Sequence, residues 1–159
     1  MTVPSRHVPI YALVLAHTLE VGHGWGKTPP PLAGFYVLDR LLPEIENGAV
    51  DERLVDDEDY GDKIPEALKA ALEASTSEHA AVQFVPRFFE LVDLDAPGPV
   101  HVRDKYGFVA LGRIADLGPG ATVGVFFYAG GRWSRWNRYE LSDATGNWAI
   151  TKFQTLQVS

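Results

Sequence analysis

The 159-residue chain contains no cysteine. Disulfides, thiolate zinc sites, thiol nucleophiles and iron–sulfur clusters are excluded together, and a cytoplasmic location is the matching expectation. A long hydrophobic run is also missing. The longest, VPIYALVLAHTL at 8–19, is too short to span a bilayer. It resembles a leader poorly: Arg6 is the one firm charge before it, no small-x-small cleavage site follows, and Glu20 comes soon after. It reads as a core element, and no membrane association is expected.

Catalytic and cofactor signatures are missing as well. No G-x-S-x-G elbow occurs, and His7, His17, His23, His79 and His101 are nowhere spaced as H-x-x-x-H. GHGWGKT at 22–28 fails as a phosphate loop. Val21 stands where the first glycine belongs, and Pro29-Pro30-Pro31 replace the helix whose N-terminus would hold the phosphates. DDEDYG at 56–61 fails as a calcium loop, because Tyr60 falls on a ligand position and Ala67 where a bidentate Glu is needed. Asp93 and Asp95 form a D-x-D that turn capping before Pro97-Gly98 explains better than metal binding. No metal and no cofactor are expected, and an enzyme is the less favoured reading.

What is present is a folded-domain composition: 46% hydrophobic residues with eight Phe, six Tyr and four Trp. Large rings bury much area each, so one core and one domain over 1–159 are expected. The net charge of −7 is unevenly spread. Residues 1–96 hold seven Lys/Arg against 17 Asp/Glu, a net of −10, whereas residues 97–159 hold seven against four, a net of +3. The overall sign opposes binding to a phosphate backbone, so nucleic acid is an unlikely partner.

Both alternating faces of 8–16 are apolar, so helix and strand fit alike, and its Val/Ile/Tyr content favours a strand. Residues 21–34, with their glycines and three prolines, form a loop. Phe35, Leu38, Leu41 and Leu42 are spaced for a helix over 32–42, with Gly48 as a stop downstream. The stretch 44–66 carries ten acidic against two basic residues, and its centre, VDDEDYGD at 55–62, reads as a solvated loop. IPEALKAALEAS at 64–75 is the clearest helix: Pro65 suits its first turn and Glu66 its positive end. From about Val82 onward, short β-rich runs alternate with turn signals such as LGPG, AGG and SDATG. That spacing predicts an antiparallel meander, a curved sheet or partial barrel, and with the helices in the first half an α+β fold.

The stretch GGRWSRWNRYE at 130–140 stands out, with Arg132-Trp133, Arg135-Trp136 and Arg138-Tyr139 at a written period of three. On a strand, Arg132, Ser134, Trp136 and Arg138 face one way, and Trp133, Arg135, Asn137 and Tyr139 the other. Each face mixes arginine with aromatic residues, the composition enriched at protein interfaces. The leading expectation is a non-catalytic binding or regulatory protein. It meets a protein partner, or a second copy of itself, through this hairpin and the acidic loop 51–62. His23 and Trp25 in the glycine-rich loop, and His101, complete the candidate binding residues. One alternative is a small enzyme or ligand binder whose pocket in the C-terminal sheet offers His101, Tyr106 and Tyr128. Another is single-stranded nucleic-acid binding, where rings stack on bases and arginines meet phosphates.

Overall fold

The computed structural model describes residues 4–22, 32–45, 48–93, 101–131 and 133–158. In chain order the elements are α1 (Val8–His17), β1 (Gly34–Leu38), β2 (Arg40–Leu41), β3 (Asp62–Lys63), α2 (Glu66–Thr76) and β4 (Ala81–Val85). They continue with β5 (Val92–Asp93), β6 (His101–Val102), β7 (Tyr106–Leu111), β8 (Ala115–Asp116), β9 (Gly120–Gly130), β10 (Trp133–Ser142) and β11 (Ala149–Val158). The main sheet runs β11-β10-β9-β7-β1-β4, while β2 and β3 pair separately. The fold is α+β. The expectation of a purely antiparallel meander is corrected: β1 lies parallel to both β4 and β7, so the sheet is mixed, and it remains open. The antiparallel part is the series β7-β9-β10-β11.

Two segments depart from expectation for one physical reason. Residues 8–17 form a helix, not a strand. Ile10, Tyr11, Val14 and Leu15 are buried in the core, and Ala12 and Leu13 on the opposite side are partly buried against the same cluster. A helix covered on more than one side loses its polar stripe, and periodicity then fails to mark it. Conversely, 34–38 is a strand where the leucine spacing suggests a helix. It sits between two parallel neighbours and is buried at all five positions. Such strands read as continuous apolar runs. Helix α2 covers Glu66–Thr76, with Leu68, Leu72 and Thr76 buried along one side, and Pro65 precedes its first turn.

The sheet has a core on each face. On one, Phe35, Val37, Val109, Val125, Phe127 and Tyr139 pack with residues of α1 and α2. On the other, Tyr36, Phe108, Phe126 and Trp136 pack with Leu42 and with Val50 and Val55 from the acidic stretch. At the centre of that stretch Asp56, Glu58, Asp59 and Tyr60 are exposed, while Val55 is anchored in the core. The organiser of the stretch is Arg40, 5% exposed. The guanidinium donates to the carbonyl oxygens of Asp57 (2.5 Å), Tyr60 (2.7 Å) and Val55 (3.1 Å), with longer bonds to Pro86 and Leu54. A cation is thus enclosed by backbone dipoles, and the neighbouring carboxylates are left for other tasks. Asp56 accepts from the amides of Phe88 and Phe89, and Asp51 pairs with Arg53. The stretch lies close against β9, since a Cβ on Gly124 would meet the Gly48 carbonyl at 2.5 Å. Glu44 accepts from the Gly124 amide there, and burial pushes its carboxyl upward. No described helix is long and apolar enough to cross a membrane.

Candidate functional site

Strands β9 and β10 form a long hairpin whose turn begins at Gly130 and Gly131, both at positive φ. Arg132, His23 and Trp25 lie outside the described residues. Period two along β10 sends Trp133 and Tyr139 into the helix-side core and Trp136 into the other. Few of the predicted residues reach the surface. Arg135 is 1% exposed, and Trp136 and Tyr139 are buried. The Arg135 guanidinium lies 5.0 Å from the Trp133 ring centroid and donates to the Ser134 carbonyl at 2.7 Å, and burial pulls its pKa down. Trp136 donates its indole N–H to Glu52 at 3.3 Å, tying the hairpin to the acidic stretch. Arg138 is the more accessible cation and faces Glu140 at 3.8 Å.

Tyr139 leads to a group that sequence reading missed. His17, at the end of α1, lies with Nδ1 2.8 Å from the Tyr139 hydroxyl, which is 3.1 Å from Thr18 Oγ1. Thr18 in turn donates to the Val14 carbonyl at 2.9 Å. A threonine hydroxyl has one hydrogen. With that hydrogen on Val14, Tyr139 donates to Thr18, and His17 donates from Nδ1 to Tyr139. In that arrangement Nδ1 of His17 carries the proton and Nε2 is the basic nitrogen. Burial lowers the His17 pKa, opposed by Glu20, and burial raises that of Tyr139. The Phe153 ring of β11 packs on both, at 4.8 Å from His17 and 5.0 Å from Tyr139. The residues after His17, Thr18–Gly22, take a π-helical turn. No spacing rule links positions 17, 18, 139 and 153, so only the fold brings them together.

At the hairpin tip, His101 of β6 stands beside Gly130 and is half-buried. Tyr128 pairs with Phe108 on β7, the strand that begins at Tyr106. Tyr36, another residue that sequence reading did not select, packs on Tyr106 at 4.6 Å and donates to Asp104 at 2.7 Å. Burial and the Asp104 carboxylate push the Tyr36 phenol up to about 12. Asp104 and Lys105 both adopt positive φ, at 60° and 59°. That conformation is disfavoured for side chains other than glycine. His101, Tyr106 and Tyr128 thus gather at one end of the sheet, with Tyr36 and Asp104 added.

Two open grooves lie elsewhere. One of about 400 Å³ is lined by Pro9, Ala12, Leu13, Ala16, Ser75 and Trp148, and one of about 470 Å³ by Glu73, Thr76, Ser77, Ala80 and Val82 among others. Among the described residues no three acidic or histidine side chains converge as a metal site. The two edges of the sheet differ more sharply. At one edge, β4 has five residues and is followed by Pro86 and Arg87. At the other, β11 has ten residues, eight of them exposed, and Lys152 as its one charge. Comparison with protein-family models, curated proteins and solved structures finds no match for this chain.

Proposed function

We propose that this chain is a non-catalytic binding protein that takes an extended segment of a protein partner along β11. The observation that carries the reading is the contrast between the two sheet edges. Short strands, proline and charge are the usual protections of an edge, and β4 ends on two of them. Strand β11 combines length and exposure with a single charge; bulges at Thr151 and Leu156 bound a regular stretch, Lys152–Thr155, and the strand presents Phe153 (37% exposed) and Val158 (41%). A row of backbone donors and acceptors with apolar side chains beside it is the material of strand addition. In this reading the buried Arg135, Trp136 and Tyr139 hold the hairpin rigid behind the binding edge, and Arg138 is the hairpin residue left near the surface.

The test is retention of host proteins by the immobilised chain and by a blunted variant, Thr155→Lys/Gln157→Lys, after both are shown to melt alike. Proteins kept by the wild type and lost by the variant support the reading. Identical sets overturn it.

A second reading, small-ligand binding at the tyrosine-rich end, is favoured by the consecutive positive-φ residues Asp104 and Lys105. Backbone held in such a conformation is frequent at ligand sites. Chemical shifts of Tyr36, Tyr106, Tyr128 and His101 that stay still during a metabolite screen would remove it.

A further inference from the structure

We infer that the groove between the last turn of α2 and the free edge of β4 binds a small aliphatic amine by its primary ammonium group. The groove lies at the sheet edge opposite β11, so the inference is independent of the edge-binding reading.

The groove measures about 470 Å³, within the range of small-ligand sites. Glu73, Thr76 and Ser77 from the end of α2 form one wall, and Ala80, Ala81 and Val82, leading into β4, form the other. A helix ends in carbonyl groups and is partially negative there, which favours a cation. The last turn of α2 supplies none, for it has no basic residue. Lys69, one turn before Glu73, is engaged by Glu66 at 3.5 Å and by the Phe84 ring at 5.7 Å. His79 is exposed and stands outside the lining. Glu73 adds a further negative charge, exposed and, among the described residues, without a cation partner.

Strand β4 contributes an acceptor of its own. The Val85 carbonyl accepts from the Asp39 amide, so Val85 turns its backbone groups toward β1. That direction alternates along a strand, and the backbone groups of Val82 therefore face the free edge at the groove. Acceptors thus stand on both walls: the Glu73 carboxylate and the α2 carbonyl end on one, the Val82 carbonyl on the other. A primary ammonium has three hydrogens with which to meet them. A quaternary ammonium has none, and the aromatic rings that hold such groups are missing from the described lining. A bare metal ion finds no three acidic or histidine side chains converging among the described residues. The methyl groups of Ala80, Ala81 and Val82 suit a short alkyl stem. Pro86 and Arg87 close this edge to an added strand, which favours a small occupant over a protein segment.

The probe is butylammonium, titrated into the full chain and followed by amide chemical shifts. Saturable shifts are expected in Glu73–Ser77 and 80–82, with a dissociation constant in the millimolar range, about −4 kcal/mol for so small a ligand. Glu73→Gln is expected to weaken binding by about 2- to 5-fold, the effect of one exposed charge pair. Trimethylbutylammonium, equal in charge but without donors, binds more weakly than butylammonium, and butanol leaves the shifts unmoved. Ser77→Lys places an ammonium at the end of α2 from within the chain, and is expected to abolish binding without lowering the Tm. Shifts that never saturate overturn the inference. So does binding that trimethylbutylammonium or the Glu73→Gln chain reproduces in full, since the net charge of −7 then attracts cations without a site.

Discussion

Replacing Arg40 with Met removes the cation around which the acidic stretch is folded, and the structure sets the size of the effect. Three of its five bonds to carbonyls are well formed, at 2.5, 2.7 and 3.1 Å. Hydrogen bonds to a charged group contribute roughly 1.5–3 kcal/mol each. Against this stands the cost of taking the guanidinium out of water, which Met does not incur. Each buried carbonyl left without a donor costs about 1–3 kcal/mol, so with the desolvation saving set against three of them a net of about 3–5 kcal/mol is expected. Here the orphaned groups are the carbonyls of Val55, Asp57 and Tyr60, which regain water only if 51–60 lifts from the sheet. Lifting it exposes Val50 and Val55, which pack in the core on that face. For a chain of this size the loss corresponds to a fall in Tm of about 6–20 °C. Calorimetry measures it, and limited proteolysis shows whether cleavage concentrates in 51–60. Arg40→Lys is expected to recover only part, because one ammonium cannot reach carbonyls that the planar fork spans. A loss under about 1 kcal/mol, on the scale of an ordinary surface substitution, with 51–60 still protected, would refute the reasoning.

Tyr139→Phe keeps the ring and deletes the link between His17 and Thr18, for an expected cost of about 1–2 kcal/mol in denaturant unfolding. Thr18→Val in that background then costs less than it does alone, and strict additivity would show that the hydroxyls do not act together. Because burial lowers the folded His17 pKa, the unfolded chain takes up its proton first as pH falls. Stability contributed by neutral His17 is present above about pH 6.5 and declines below it until the folded pKa is passed. His17→Gln should flatten that part of a midpoint-versus-pH curve, and unchanged curvature would assign it to other groups. Lys105→Gly relieves a left-handed residue at φ 59° and is expected to stabilise by about 0.5–1 kcal/mol, read as a raised Tm.

Local chemistry was legible where one element answers for itself. Helix α2 carries its proline start, strong helix formers and a one-sided apolar stripe, so its pattern survives any context. The hairpin turn at Gly130-Gly131 and the opposed faces of β10 follow from glycine's freedom and the two-residue period. The errors fall on α1 and β1, the segments with apolar residues on every side. There the hydrophobic pattern records burial and no longer records geometry. The candidate residues show the same limit. Composition drew attention to the Arg/Trp run, and the fold buries Arg135 and Trp136. His17, Thr18 and Phe153 meet Tyr139 only through packing between distant segments.

By itself the sequence determined the α+β class, the charge division, the absence of thiol chemistry and the strand character of the second half. These depend on residue type and near-neighbour spacing. The tertiary structure decided that β1 enters the sheet in parallel, that carbonyls enclose Arg40, and that β11 is left at an open edge. Each depends on which segment lies beside which, and chain positions far apart carry no local mark of that choice.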